Sequence, residues 1–309
     1  MKLSVIIPCL NAEATIAEQL EALAAQRWSE PWELIISDNG STDHSVKIAR
    51  QFANRFLKFR VVDASDRKGA AHACNVGVRA ATAEAVAFCD ADDEVASSWV
   101  ASMGEALFRH NVGCGQMRFD KFNEPDLAQK SAEVWKDGLY KGRFLPGGGS
   151  GNLSIRRWVH DAIGGFDEDL PHAFDADYFW RLQLEGFKLH YVPEAVLQVR
   201  IRRVNPSLPY LYRRGRNRAA SNYWCYKRYR HLGMLPPQPL RESLARWLGT
   251  LRRAVFVLLY SKQNRVEWLH RFARQTGSLV GQLQGRMTNP CQPYHPRKRG
   301  EVGAENRSL

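Results

Sequence analysis

The 309-residue chain lacks any apolar run near the roughly 18 residues that a membrane span needs. It has no Gly-x-x-x-x-Gly-Lys-[Ser/Thr] loop, which argues against a P-loop NTPase. No Gly-x-Gly-x-x-Gly follows the first apolar run, which weakens a dinucleotide enzyme, and the Gly-x-Ser-x-Gly elbow of hydrolases is missing too. Its six cysteines (Cys9, Cys74, Cys89, Cys114, Cys225 and Cys291) stand far apart, with no Cys-x-x-Cys and no Cys/His cluster. Reduced thiols in a cytosolic compartment and no structural zinc are therefore expected. Acidic residues are scarce at the C-terminal end. Arg200 to Leu309 holds 23 Lys and Arg against 4 Asp and Glu, whereas the preceding 199 residues hold 21 against 28. The basicity thus belongs to the last third, which points to an anionic partner there.

What is present is ordinary globular composition, 44% apolar and 25% charged. That excludes wholesale disorder and leaves enough chain for a sizeable core. The start, Leu3 to Leu10, has the flavour of a signal peptide, but it is short, is broken by Pro8 and precedes no small-residue cleavage site. It reads instead as a first strand of a non-secreted protein.

The first two hundred residues alternate apolar runs with helical stretches. Strands are expected at Val5–Ile7, Glu33–Ile36, Phe59–Val62, Ala85–Cys89 and Lys188–Val192. Helices are expected at about 12–27, 43–56, 71–81 and 176–185. This alternation predicts βαβ units and a largely parallel sheet, with ligands at the carboxyl ends of the strands. The stretch Asn111 to Arg143 gives no clear reading. Pro146 to Gly151 reads as a Gly-rich loop lining the site. Pro-rich Leu235–Leu240 is a linker, followed by helices at about 244–260 and 265–283 and a polar tail from Thr288 that is expected to be disordered.

Three polar clusters carry candidate chemistry. Ser37–Asp43 follows a strand, where Asp38 and Asn39 suit a base or ribose edge; the same residues also suit a turn and a helix N-cap. Asp90, Asp92 and Asp93 end another strand. Three carboxylates within four residues repel unless a cation or a solvated surface relieves them. Asp175 and Asp177 are candidate general bases, or else an N-cap pair complementing a helix dipole.

Taken together, these clusters resemble the family 2 glycosyltransferases of GT-A fold over about residues 3–200. The resemblance is carried by Val5–Asn11, Ser37–Asp43, Gly69–Gly77, Asp90–Asp93, Gly164–Glu168, Asp175–Asp177 with Arg181, and Gly186–Pro193. It implies an α/β fold with a Rossmann-like, mixed but mostly parallel sheet flanked by helices, plus a basic α-helical C-terminal extension. The domains would be 1–203 (catalytic), 204–287 (basic, helical) and a 288–309 tail. The implied reaction is inverting and metal-dependent. It moves a sugar from a nucleoside-diphosphate sugar, foremost of UDP, to a glycan or lipid-linked acceptor in polysaccharide or glycoconjugate biosynthesis.

The resemblance also implies roles for individual residues. Pro8 and Leu10 would lie beside the base, Asp38 and Asn39 on base and ribose, and Asp90 near the ribose. Asp92, helped by Asp93, would ligate Mn²⁺ or Mg²⁺. Asp175 would be the general base, with Gly151, Asn152 and Asp177 on the sugar and acceptor side. The chain departs from the family pattern at four places. Asn39 stands where an Asp is common, Cys74 where an Arg is common, Phe174 where an acid usually precedes the catalytic Asp, and Gln198 where many members carry His. Arg67 or Lys68 would then serve near the phosphates, as would Arg200 and Arg202. These departures keep a second class open, a non-catalytic scaffold that binds nucleotide sugar in an assembly complex.

Tyr210 to Arg230 interleaves aromatic with basic residues, and Leu244, Trp247, Leu248 and Leu251 keep helical spacing. Such a region suits a surface-lying membrane helix, a packing face against the catalytic domain or a second subunit, or single-stranded nucleic acid. The enzyme upstream favours an anionic membrane surface. The expected location is cytoplasmic, at the inner face of the membrane, and nucleic acid is the least favoured partner.

Overall fold

The computed structural model describes residues 1–136, 138–201, 207–259, 262–288 and 292–297. Two compact units emerge. One comprises Met1–Glu168, Phe174–Ile201 and the segment from Pro296; the other comprises Asp169–Ala173 and Arg202–His295.

In the first unit the order is β1 (Leu3–Cys9), α1 (Ile16–Ala24), β2 (Trp32–Asp38), α2 (Ser45–Gln51), β3 (Phe59–Asp63), α3 (Ala70–Ala80) and β4 (Ala85–Cys89). There follow β5 (Glu94–Val95), α4 (Trp99–Arg109), β6 (Val112–Arg118), α5 (Pro125–Trp135), β7 (Asn152–Arg156), α6 (Arg157–Ala162), α7 (Phe174–Leu184) and β8 (His190–Gln198). The eight strands form one sheet in the order β3-β2-β1-β4-β7-β6-β8-β5. The first four are parallel, and β7 runs antiparallel to both β4 and β6. The mixed sheet flanked by helices agrees with the expected fold class.

The strands read as unbroken apolar runs because both faces of the sheet are covered. Successive side chains point to opposite faces. Val5, Ile7, Leu34 and Ile36 enter the core under α1 and α4, whereas Ile6, Ile35, Val86 and Phe88 enter the core under α3, α6 and α7. Helix α3 comes unusually close to β1 because residue 77 is glycine. A β-carbon there would lie 2.4 Å from Ile6 Cγ2. Truncating the fully buried Ile6 to Ala should cost about 2–5 kcal/mol.

The topology also opens a crevice. The chain leaves β1 towards β2 and β3, then returns to place β4 on the other side, which makes a switch point between β1 and β4. The ladder between these two strands ends at Ile6↔Phe88, while β1 stays paired with β2 as far as Cys9↔Asp38. Pro8, which has no N–H to donate, falls in the stretch that β4 has released.

Several expected boundaries shift. The first helix begins at Ile16 rather than near residue 12, and Ala12 lies in the turn before it, its carbonyl accepting from Thr15 N and Ile16 N. The expected helix 43–56 is α2 followed by a 3₁₀ turn at Ala53–Arg55. The unreadable stretch 111–143 contains β6 and α5.

The second unit contains α8 (Leu208–Tyr229), α9 (Leu240–Arg252) and α10 (Lys262–Met287). Helices α8 and α10 approach to backbone contact: a β-carbon at Gly281 would fall 2.1 Å from the Arg216 carbonyl oxygen. Arg202, Cys291 and most of the expected tail lie outside the described residues. One described piece of that tail is packed rather than loose: the Tyr294 N–H donates to the Arg228 carbonyl at 3.2 Å, and His231 Nε2 donates to the Tyr294 carbonyl at 2.9 Å. Among the described residues, no helix is long and apolar enough to cross a membrane.

Candidate functional site

The carboxyl ends of β1, β2, β3 and β4 share one edge of the sheet with the start of antiparallel β7. Asp38 is level with Cys9 and Asp63, and Cys89 is level with Asn152. Beyond β1, Leu10 is 44% exposed, an apolar surface at the mouth of the crevice. Asn11, at φ +50°, is held there by Thr42 N–H donating to its Oδ1 at 2.8 Å. Asp38 accepts from Ser41 N at 3.3 Å, and Asp43 accepts from the N–H and hydroxyl of Ser45 at the head of α2. The 37–43 cluster thus builds its own turn while leaving Asp38 at the strand end.

Asn39, expected on base or ribose, is 3% exposed and turned inward. Its Nδ2 donates to the carbonyls of Ala64 (2.6 Å) and Arg67 (2.8 Å), and its Oδ1 accepts from Gly69 N–H (2.8 Å). Both amide hydrogens are spent on fixing the loop before α3. Asn39 shapes this strand end without an amide hydrogen to offer a ligand. Arg67, expected near the phosphates, donates to the Glu168 carbonyl (2.9 Å) and pairs with its carboxylate (3.4 Å).

Glu168 is the centre of a network that sequence reasoning did not foresee. Besides Arg67, it takes Asn75 Nδ2 and His72 Nδ1, both at 2.8 Å, and the other ring nitrogen of His72 meets Asp66 at 2.8 Å. Burial opposes protonation of His72, but the two carboxylate hydrogen bonds outweigh it and raise its pKa. Burial likewise acts on Glu168 in the raising direction, and the bonds from Asn75 and His72 overcome it, lowering its pKa. No spacing rule links His72, Asp66 and Glu168, so the signal was invisible in one sequence.

The loop after β4 is clamped from α1. Gln19, fully buried, donates to the Asp90 carbonyl at 3.0 Å and accepts from Val95 N–H at 3.0 Å. Asp90 and Asp92 are partly exposed, but Asp93 is 5% exposed. Burial, then the charge of Asp90 and that of Asp92, push the Asp93 carboxyl up to about 8 against the opposing hydrogen bond from Arg200. That bond, Arg200 N to Asp93 Oδ1, is 2.7 Å. Arg200 Nε also donates to the Asp92 carbonyl at 3.1 Å, its NH2 reaches Glu18 at 2.5 Å, and its guanidinium lies 3.8 Å over the Phe122 ring. Arg200 therefore braces the acidic loop instead of standing ready for phosphate.

The three aspartates were expected to recruit a cation. Among the described residues, no group of three His, Cys, Asp or Glu side chains is arranged to hold a metal, and Asp93 is committed inward. The partly exposed carboxylates that remain for a divalent cation are those of Asp90 and Asp92. Such an ion would need further oxygen ligands from a bound diphosphate. Gln198 has a buried Oε1 without a hydrogen-bond partner among the described residues.

Gly151 lies against Asp90. Asn152, expected to line the sugar side, is instead 1% exposed. Its Oδ1 accepts from Trp99 Nε1 (2.7 Å), and its Nδ2 donates to the carbonyls of Gln116 (3.0 Å) and Ala195 (3.2 Å). It ties β7 to its neighbours and does not reach a ligand.

The Gly-rich loop rests on α7. Trp180 Nε1 donates to the Leu145 carbonyl (2.9 Å), Gln183 Nε2 to that of Pro146 (2.7 Å), and Gly148 packs on the Phe179 ring. Asp175 opens this helix half-buried, its Oδ1 accepting from Ala176 N at 2.8 Å. The residue before the helix, Ala173, sits at φ +64°, a left-handed conformation that costs a non-glycine residue free energy and recurs at functional sites. Asp177, the other candidate, is fully buried and paired with Arg181 Nε at 2.7 Å. Arg181 continues to the carbonyls of Ile163 and Gly165. Two residues along a helix turn through about 200°, so the inward Asp177 leaves Asp175 on the outer side. Asp177 is thus an anchor for α7, not an acceptor-side group.

The family model for glycosyl transferase family 2 matches residues 4–167, just over half the chain, and the chain belongs to that family, which makes it a transferase. It is 34% identical over 165 residues to the uncharacterized glycosyltransferase YibD of Escherichia coli, an alignment that spans 52% of this chain and 46% of YibD. It is 25% identical over 304 residues to the glycosyltransferase AglE of Haloferax volcanii, covering 89% of this chain and 94% of AglE. Its fold is similar to that of the mannosyltransferase PcManGT from Pyrobaculum calidifontis, solved with GDP-Man and Mn²⁺. The TM-score is 0.57 at 18% identity, over 92% of this chain and 87% of that one.

Proposed function

We propose that this family 2 glycosyltransferase moves a sugar, with inversion, from a nucleoside-diphosphate sugar to a hydroxyl of a glycan or lipid-linked acceptor in polysaccharide or glycoconjugate assembly. The observation that carries this reading is the shared sheet edge. The β1/β4 switch-point crevice, the Asp90–Asp93 loop and the start of β7 all meet there. UDP is the first nucleotide to test on the family resemblance, with GDP the alternative suggested by PcManGT. Leu10 and Pro8 supply an apolar wall for the base, and Asp38 supplies acceptor oxygens for base or ribose. Asp90 and Asp92 would hold Mn²⁺ or Mg²⁺, which offsets charge on the departing diphosphate. Asp175 takes the proton of the acceptor hydroxyl as that oxygen bonds to the anomeric carbon and the bond from this carbon to the diphosphate breaks. The buried struts Asn39, Asn152 and Asp177 keep these groups in place, so positioning is the protein's main contribution.

The test is a thermal-shift panel with UDP, GDP, dTDP and CDP, each with and without Mn²⁺. A ligand stabilises in proportion to its occupancy of the native state. Metal-dependent stabilisation by one nucleotide is the expected result. No shift at millimolar concentration overturns the donor site. Tight nucleotide binding without turnover on any donor would favour the non-catalytic scaffold.

The helical unit favours an anionic membrane surface as a further partner. On α9 the polar residues Ser243 and Thr250 are buried, with Ser243 Oγ accepting from Gln282 of α10 at 2.6 Å. Leu244, Leu248 and Leu251 are 40–41% exposed. These leucines face outward while Trp247 packs on Phe272 of α10, and Arg241 and Arg252 flank the leucines. A basic helix with an outward leucine face suits the interface of anionic lipid. Sedimentation with phosphatidylglycerol vesicles, lost at high salt and in Leu248→Glu, is expected. Equal recovery with neutral phosphatidylcholine vesicles would count against it.

A further inference from the structure

A cavity of about 430 Å³ opens between the end of β6 and helix α5, within the range of ligand pockets (roughly 300–1,000 Å³). One face of α5 lines it through Ala128, Gln129, Ala132 and Trp135, and the strand end contributes Gln116 to Asp120. The chemistry of the wall is unlike a packed core. Gln116 and Gln129 make no side-chain hydrogen bond among the described residues, and Asp120 is exposed. The half-buried Trp135 indole is braced by Tyr140, ring centroids 6.0 Å apart.

This cavity adjoins the site. Tyr140 exchanges backbone hydrogen bonds with Gly147 at 2.8 and 2.9 Å. Gly149 packs on the Met117 side chain, with the Trp135 ring 3.9 Å from where its β-carbon would be. The Gly-rich loop is therefore shared. One part lies on α7, which carries Asp175, another borders the cavity, and its end, Gly151, lies under Asp90. Asn152 Nδ2 fixes the wall from the other side through the Gln116 carbonyl.

We propose that the cavity binds a pyranose unit of the acceptor, stacked on Trp135 and hydrogen-bonded by Gln116, Gln129 and Asp120. This deepens the transferase reading and rests on it. A sugar ring presents an apolar C–H face and a rim of hydroxyls. An indole covers the first, and two amides with a carboxylate give donors and acceptors to the second. A lipid tail would leave the partly buried Gln116 amide without a partner, at a cost, so the cavity fits the saccharide part of an acceptor.

The experiment is saturation-transfer-difference NMR on the full chain with UDP or GDP and Mg²⁺. The probes are the methyl pyranosides of glucose, galactose, mannose and N-acetylglucosamine. Saturation of ring C–H protons is expected for at least one glycoside in the wild type. It should fall at least fivefold in Trp135→Ala, at least twofold in Gln129→Ala, and be largely kept in Trp135→Phe. Gln129 is exposed, so its variant tests the site should Trp135→Ala fail to fold. Signals equal in wild type and both alanine variants, or none with any glycoside, overturn the proposal. The nucleotide thermal shift separates the two readings. A nucleotide response without glycoside signals refutes the cavity alone, and glycoside signals without a nucleotide response refute the donor site alone.

Discussion

Gly151 lies so close beneath Asp90 that a β-carbon at position 151 would fall 2.4 Å from Asp90 Oδ2. The carboxylate at the end of β4 thus depends on a backbone with no side chain at the start of β7. Gly151→Ala should displace Asp90 and weaken nucleoside-diphosphate affinity at least ~10-fold, about 1.4 kcal/mol. Titration calorimetry checks this, and an unchanged Kd would detach Asp90 from the nucleotide.

Asp175→Asn should leave donor binding intact and reduce transfer at least ~100-fold, the lower end of general-base effects. Parallel calorimetry and single-turnover assays separate the two. Near wild-type turnover would move the base away from Asp175, and the fully buried Asp177, paired with Arg181, would not be its replacement.

Asp92→Ala should abolish the Mn²⁺-dependent part of nucleoside-diphosphate binding, and it leaves the Asp92 backbone carbonyl available to Arg200. Melting curves of the free variant and calorimetry with and without Mn²⁺ give both readouts. Undiminished metal dependence would remove Asp92 from the cation site.

His72 makes stability depend on pH. Its folded pKa is raised, so its contribution is complete below the ~6.5 of a free imidazole and is lost as pH climbs through the folded value. Glu168, lowered, behaves oppositely: its contribution is present above the ordinary carboxylate pKa and is lost as pH falls through the folded value. The melting-temperature gap between wild type and His72→Gln should therefore narrow as pH rises above ~6.5. A gap that widens with pH would show that His72 is neutral in the folded protein.

Gly281→Val should destabilise the helical unit by at least ~1–3 kcal/mol, the usual cost of overpacking, because its β-carbon has no room beside the Arg216 carbonyl. Urea denaturation followed by far-UV circular dichroism measures it. Wild-type stability would mean that α8 and α10 are not in contact there.

Much of the first unit was readable in order. The runs Val5–Ile7 and Glu33–Ile36 declare themselves because both faces of the sheet are buried. Strand β6 did not, and the reason lies in its glycines. A β-carbon at Gly115 would meet the Ala195 carbonyl and Asn152 Oδ1, both at 2.4 Å. Glycine is required there by a close approach, yet it lowers every local signal for a strand. The cavity beside β6 was unreadable for the same reason. The direction of the α9 leucines was equally hidden, since a periodic stripe shows that a helix is two-faced but not which face its neighbours cover.

The sequence by itself determined the order of β1 to β4 and that Asp38 and Asp90 stand at strand ends, because a strand and the turn after it are set by a few adjacent residues. Tertiary structure alone decided which polar side chains are consumed in holding the fold. Asn39 bonds to Ala64 and Arg67, Asn152 to Trp99, and Glu168 to His72, partners 25 to 96 positions away. A buried amide or carboxylate must be satisfied by whatever the folded chain brings to it. Asn39, Asn152 and Glu168 therefore became struts, while Asp92 and Asp175 were left partly exposed.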